Sequence, residues 1–192
     1  MSIRCTALAG AFLATLITVA MATPAAADDA LWKALRSGEH VALLRHALAP
    51  GTGDPAEFAL RDCSTQRNLS DQGRGQAARI GARFRANGIA AARVASSQWC
   101  RCLETARLLD LGPVEELPPL NSFFRRGERR DAQTRALQAW LGDQALERPI
   151  VLVTHQVNIT ALTGIFPASG ELVVLRRDSD GTLSVVGRLE TE

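Results

Sequence analysis

Ile150-Val151-Leu152-Val153-Thr154-His155 is the stretch that decides the fold. Pro149 admits it, and the apolar run is too short and too continuous for a surface helix or for a strand with one wet face. It reads as a buried strand that ends on a histidine. Val41-Ala42-Leu43-Leu44 runs in the same way into Arg45-His46, and Arg93-Val94-Ala95-Ser96 runs into Ser97-Gln98-Trp99-Cys100-Arg101. The chain has 3 histidines in all, so two of them at the ends of buried strands form a pattern with chemical content.

Between these strands the apolar spacing becomes helical. Residues 28–37 carry Leu31, Trp32 and Leu35 on one side and stop at Gly38. Ser70-Asp71-Gln72-Gly73 opens a second helix with Ala77, Ile80, Gly81 and Phe84 inward, closed by Asn87-Gly88. Residues 98–109 pack Leu103, Ala106 and Leu109, residues 131–146 pack Leu137, Trp140 and Leu141, and residues 160–165 continue as a short helix. Residues 114–117 read as a further strand, and residues 170–176 and 182–189 flank the hairpin signal Asp178-Ser179-Asp180-Gly181. Strands alternating with helices predict an α/β fold: a three-layer α/β/α sandwich, its sheet mostly parallel, with an antiparallel edge from the terminal hairpin.

At 192 residues the chain fits one domain. Residues 1–27 differ in kind, with one positive charge at Arg4, a small and apolar run from Thr6 to Ala22, and Ala25-Ala26-Ala27 before Asp28-Asp29. This is the pattern of a secretory signal peptide cut after Ala27, leaving 28–192 as a single domain in the periplasm or outside the cell, without stable membrane insertion. A retained anchor is the rival reading, but the run is short and alanine-rich. The net charge of +2 falls to +1 once Arg4 is removed, and no basic stripe interleaved with aromatics marks a nucleic-acid partner. Arg125-Arg126-Gly127-Glu128-Arg129-Arg130 is the one dense basic run. It reads first as a solvated loop or helix face, and second as a grip on an anionic substrate.

Export would place Cys63, Cys100 and Cys102 where thiols oxidise, and an odd number predicts one disulfide and one free thiol. Cys100 and Cys102 sit two apart on a predicted helix and point to different sides, so Cys63 pairs with one of them. A zinc site lacks the usual ligand spacing.

In open α/β sheets ligands settle at the carboxyl ends of strands, where Arg45-His46, Arg101 and His155 all fall. Adjacent strand residues point to opposite faces, so Arg45 and His46 share a site only if the chain leaves strand geometry there. The Gly- and Pro-rich loop at residues 49–55 follows at once. Two guanidinium forks and two imidazoles suit a phosphoryl group: arginine binds phosphate oxygens bidentately, a neutral imidazole can attack phosphorus, and a protonated one donates to the oxygens. Arg101 also lies in the first turns of its helix, where the backbone dipole favours an anion.

These stretches resemble the histidine phosphatase superfamily, in its phosphoglycerate-mutase-like branch. Leu44-Arg45-His46-Ala47 is similar to the Arg-His-Gly signature, residues 96–106 to the second-arginine helix, Val153-Thr154-His155 to the second-histidine motif, and residues 68–77 to the family's helix opening. The resemblance implies a metal-independent phosphomonoester hydrolase without cofactor, acting on a small phosphorylated substrate. His46 would be the nucleophile, with Arg45, Arg101 and His155 holding the phosphoryl group. Residues 62–69 paired with Trp99-Cys100-Arg101 look like exported members, some of which act on phosphorylated sugars of the cell envelope; that likeness favours Cys63–Cys100.

The departures concern the proton donor. Asn121 and Gln156 stand where family members place acids, and neither amide can protonate a leaving oxygen. Glu104, three residues beyond Arg101, is the substitute, with an arginine-orienting role as its alternative. Arg67 either reaches the phosphate or braces its loop. The amides also motivate a second reading, a phosphate-ligand binding protein on an inactive scaffold. A cytosolic mutase is a distant third.

Overall fold

The computed structural model describes residues 24–191, so the leader expected at 1–27 lies outside the described residues up to position 23. Among the described residues no helix is long and apolar enough to cross a membrane. Six strands, β1 His40–Arg45, β2 Arg93–Ser96, β3 Val114–Glu116, β4 Ile150–Thr154, β5 Leu172–Arg177 and β6 Leu183–Leu189, form one sheet in the order β3-β2-β4-β1-β5-β6. The pairs β3/β2, β2/β4 and β4/β1 are parallel, while β1/β5 and β5/β6 are antiparallel. The expected mixed sheet is therefore present, with the terminal hairpin at its edge.

The strands alternate between two cores, as a period of two requires. On one face Ala42, Leu44, Val94, Val151 and Val153 meet α1 (Pro24–Arg36), α2 (Asp71–Ala86) and α3 (Cys100–Leu108). On the other, Val41, Leu43, Ala95, Ile150 and Leu152 meet α4 (Arg130–Gly142) and α5 (Gln156–Thr163). Burial on both faces explains why β1 and β4 read as unbroken apolar runs.

Helix ends differ from the sequence expectation for local reasons. α2 starts where expected, with the Ser70 side chain accepting from the Gly73 amide at 3.1 Å. α3 starts at Cys100 rather than 98, because Asn121 Oδ1 takes the Gln98 amide and Ser97 Oγ takes that of Trp99. α4 stops at Gly142 rather than 146, its last carbonyls held by Arg177 Nη1, which donates to Leu141 and Gly142. α5 begins at Gln156, earlier than the expected 160, and ends on Gly164 at φ 76°.

Two glycines let α2 lie close to its neighbours. A Cβ at Gly73 would stand 2.0 Å from the Leu48 carbonyl oxygen, and one at Gly81 would stand 2.0 Å from that of Leu109. Both obstacles are backbone, so relief requires moving the helix. Gly81→Ala is expected to lower the unfolding free energy by about 1–3 kcal/mol, as overpacking does elsewhere, read from the midpoint of urea unfolding. An unchanged midpoint would show that α2 can shift freely.

Candidate active site

Parallel pairing of β1 with β4 and of β4 with β2 sets Arg45 opposite Thr154 and Ser96 opposite Val153. The residues just past those ends, His46, His155 and Ser97, are thereby brought to one level. The His46 amide donates to the Thr154 carbonyl at 2.9 Å and the Ser97 amide to the Val153 carbonyl at 2.9 Å. β1 stops at Arg45, so His46 is free of strand alternation and both side chains can serve one site.

His46 and His155 are buried with ring centroids 5.5 Å apart, and Arg101, also buried, reaches both. Its Nε donates to His46 Nε2 at 3.2 Å and its Nη2 to His155 Nδ1 at 3.4 Å. The remaining hydrogens go to Asp54 Oδ1 at 2.6 Å, Asp54 Oδ2 at 3.2 Å and the Arg67 carbonyl at 3.2 Å. All five guanidinium donors are thus engaged. Arg45 donates through Nη1 to the Pro167 carbonyl at 2.8 Å, whereas its Nε is buried without a partner among the described residues.

The contacts fix both tautomers. His46 Nδ1 lies 2.8 Å from the Ala47 carbonyl, which can only accept, so Nδ1 carries the hydrogen and Nε2 offers its lone pair. His155 Nδ1 faces a donor, so its Nε2 carries the hydrogen, pointing to Ser97 Oγ at 2.8 Å. Burial, reinforced by the charge on Arg101, brings His46 down to about 3, and burial with the same charge holds His155 well below the usual imidazole range. Both rings are neutral in the free protein. For His46 that is the form expected of a nucleophile; for His155 it differs from the protonated donor that the sequence suggested.

Asp54 is the residue that sequence reading missed. Besides Arg101, it accepts from Trp99 Nε1 at 3.0 Å and from the Arg67 amide at 3.2 Å. Burial pushes its carboxyl up, but these hydrogen bonds and the Arg101 charge outweigh that and hold it below the usual range. Its only sequence signal was a carboxylate in the loop that leaves His46.

The other sequence candidates sort by partner. Arg67 braces the loop, donating to the Gly53 carbonyl at 2.8 Å and to the Ala49 carbonyl. Glu104 is not among the converging groups: it accepts from Arg74 Nε at 2.7 Å and lines a separate hollow with Arg61 and Arg107. An i, i+3 spacing placed it on a similar face to Arg101, but Arg74 on α2 claims it. Its carboxylate does orient an arginine, though a different one. Asn121 accepts from Ser97 Oγ at 3.3 Å and from the Gln98 amide at 2.8 Å, and Gln156 turns to Thr160 on its own helix. With the Cys100 amide donating to Gln66 Oε1 at 2.9 Å, the amides leading into α3 are already satisfied by side chains.

Cys63 and Cys100 form a disulfide, which ties the loop after β1 to the start of α3. Cys102 is the free thiol among the described residues, buried with Sγ 3.4 Å from His155 Nε2. Burial pushes it up to about 12, so it remains a neutral packing group.

The family model for the histidine phosphatase superfamily (branch 1) matches residues 41–123, a stretch that contains Arg45, His46 and Arg101. Over this stretch the chain is similar to that superfamily. Among solved structures it is similar to the protein histidine phosphatase SixA complexed with tungstate, at 17% identity and a TM-score of 0.56, covering 79% of this chain and 97% of that one. The putative phosphohistidine phosphatase SixA from Agrobacterium tumefaciens matches at 20% identity and 0.54, covering 79% and 97%. A mycobacterial glucosyl-3-phosphoglycerate phosphatase complexed with VO3 matches at 19% and 0.53, covering 71% and 92%. Identities this low establish a shared fold. No curated protein matched the sequence.

The depressed histidines make stability pH-dependent. An unfolded imidazole titrates near 6.5, so between there and about 3 the unfolded chain takes up a proton that folded His46 refuses. Stability is full above pH 6.5 and falls as pH drops through that window, by up to about 1.4 kcal/mol per pH unit for each such ring. Urea unfolding at pH 7, 5.5 and 4.5 should show this slope, and His46→Gln should flatten it. Equal slopes in the two proteins would mean that His46 titrates normally.

Proposed function

We propose that this protein is a phosphomonoester hydrolase working through a phosphohistidine at His46, without a metal or cofactor. The match to the histidine phosphatase superfamily over residues 41–123 supports phosphatase activity broadly, and the observation that carries the finer reading is the neutral His46 ring, its Nε2 lone pair directed at the Arg101 guanidinium. A phosphoryl dianion would replace the two ring nitrogens as partners of Arg101, exchanging weak contacts for charge-assisted ones. The buried Nε of Arg45 supplies a donor that now has no partner. The exchange frees His46 Nε2 to attack phosphorus: the N–P bond forms, the P–O bond to the leaving group breaks, and the leaving oxygen takes a proton. Water then displaces phosphate from His46, restoring the ring. The nearby dianion raises the proton affinity of His155, which lets it become a charged donor in the complex.

Asp54 acts here as a positioning residue. Its ionised carboxylate aligns Arg101 but carries no proton to give, and Glu104 is occupied by Arg74. Proton delivery to the leaving oxygen therefore falls to water, which favours substrates with good leaving groups. A phosphorylated sugar or cell-envelope component is the substrate class we favour, turned over slowly because its alkoxide leaves poorly without a placed acid, with the protein in the periplasm or secreted; the disulfide is consistent with an oxidising compartment. That no acid is placed at the site among the described residues also supports a second reading, a phosphate-ligand binding protein that does not turn over.

An acid- or base-quench experiment with a radiolabelled aryl phosphate separates the two. Turnover with a base-stable, acid-labile label on the protein is expected, and His46→Ala should abolish the label and lower kcat by a factor on the order of 10^4 or more. Full activity in that variant would remove His46 from the nucleophile's role, and tight binding without turnover in the parent would select the second reading.

A further inference from the structure

A cleft of about 660 Å³ opens beside the histidine pair, and its lining differs in kind from the site it adjoins. Its lining includes Asp54, which holds Arg101, and Trp99, whose ring meets that of His155 edge-on at 5.4 Å. Phe58 stacks on Trp99 with centroids 5.0 Å apart and planes 22° from parallel, and Phe124 stands 53% exposed on the wall. Arg125, Arg126 and Arg129, all exposed, also line it, with Arg125 donating to the Pro55 carbonyl at 3.5 Å beside Asp54. Among the described residues none of the three is in an ion pair, and the one carboxylate in the lining, Asp54, is spent on Arg101.

Solvated arginines on a convex surface would signify nothing. These three line the concave wall that also contains Asp54 and Trp99, while Arg130 and Arg135 on α4 do not. Any phosphoryl group held at His46 must project its leaving group into adjoining space, and this is a space of ligand size with aromatic walls and arginine charge in its lining that no carboxylate there neutralises.

We propose that this cleft receives the leaving group, and that the preferred leaving group is a ring bearing a second anionic group, phosphate or carboxylate, gripped by Arg125, Arg126 and Arg129. The ring lies against Phe58 and Phe124, and the guanidinium forks bind the second anion. This rests on the phosphatase reading and names its substrate class. The basic run that sequence reading took first as solvated surface becomes a specificity element.

Two matched pairs test it: phenyl phosphate against 4-carboxyphenyl phosphate, and glucose 6-phosphate against glucose 1,6-bisphosphate. The ratio of kcat/KM within each pair should favour the second member by on the order of tenfold, carried by KM, and should shrink as salt rises. In the triple variant Arg125→Ala, Arg126→Ala, Arg129→Ala the ratio should fall to near one. Arg135→Ala, the control for lost charge, should keep it. A ratio near one in the parent, or one that survives in the triple variant, overturns the proposal. Titrating the same pairs against intrinsic tryptophan fluorescence gives Kd without turnover. A binding preference that vanishes in the triple variant, with no hydrolysis at all, would keep the cleft assignment and sink the phosphatase reading alone; equal Kd values would sink the cleft.

Discussion

The five hydrogen bonds of Arg101 are the constraint on which the rest of the site depends. One guanidinium plane fixes Asp54, the Arg67 carbonyl, His46 and His155, residues from the loop after β1, the approach to α2 and the end of β4. A charge this deep, with its side chain 3% exposed, is tolerable only because a carboxylate pairs with it and every remaining donor is met. The surrounding polar residues serve the same end. Thr105 Oγ1 donates to the Arg101 carbonyl and accepts from the Ala47 amide, so the helix that carries the guanidinium also pins the segment that carries His46.

That positive charge also sets the ionisation of its neighbours. It lowers the proton affinity of both imidazoles in addition to what burial does, and it keeps Asp54 ionised against burial. The site rests with an unprotonated Nε2 at His46 that accepts from Arg101 and an internal anion at Asp54. Any anion drawn to Arg101 would have to displace the ring nitrogens, while Asp54 holds the other side of the fork.

Much of the fold was legible because β1, β2 and β4 are buried on both faces and announce themselves as short apolar runs, and their lengths matched the structure. Helix limits were less legible where the deciding contact is distant in sequence. Asn121 sets the start of α3 and Arg177 holds the end of α4, and neither lies within the helix it bounds. The same reason governed the site. His46, Arg101 and His155 stood at strand ends and could be placed by topology, whereas the part played by Asp54 depends on a loop path that spacing does not reveal. Glu104 shows the converse: helical spacing put it near Arg101, but spacing cannot tell that Arg74 from another helix would claim it.

The cross-link between Cys63 and Cys100 has a consequence for how the molecule is made. Cys100 and Cys102 stand two positions apart, so in a disordered chain Cys63 meets either thiol with nearly the same loop-closure entropy. What separates them is the packing of α3, which shuts Cys102 beneath His155 and leaves Cys100 at the helix start. Oxidation that runs ahead of this packing makes mispaired chains that need an isomerase or a reductant to recover, so the fidelity of cross-linking is inherited from the order of assembly.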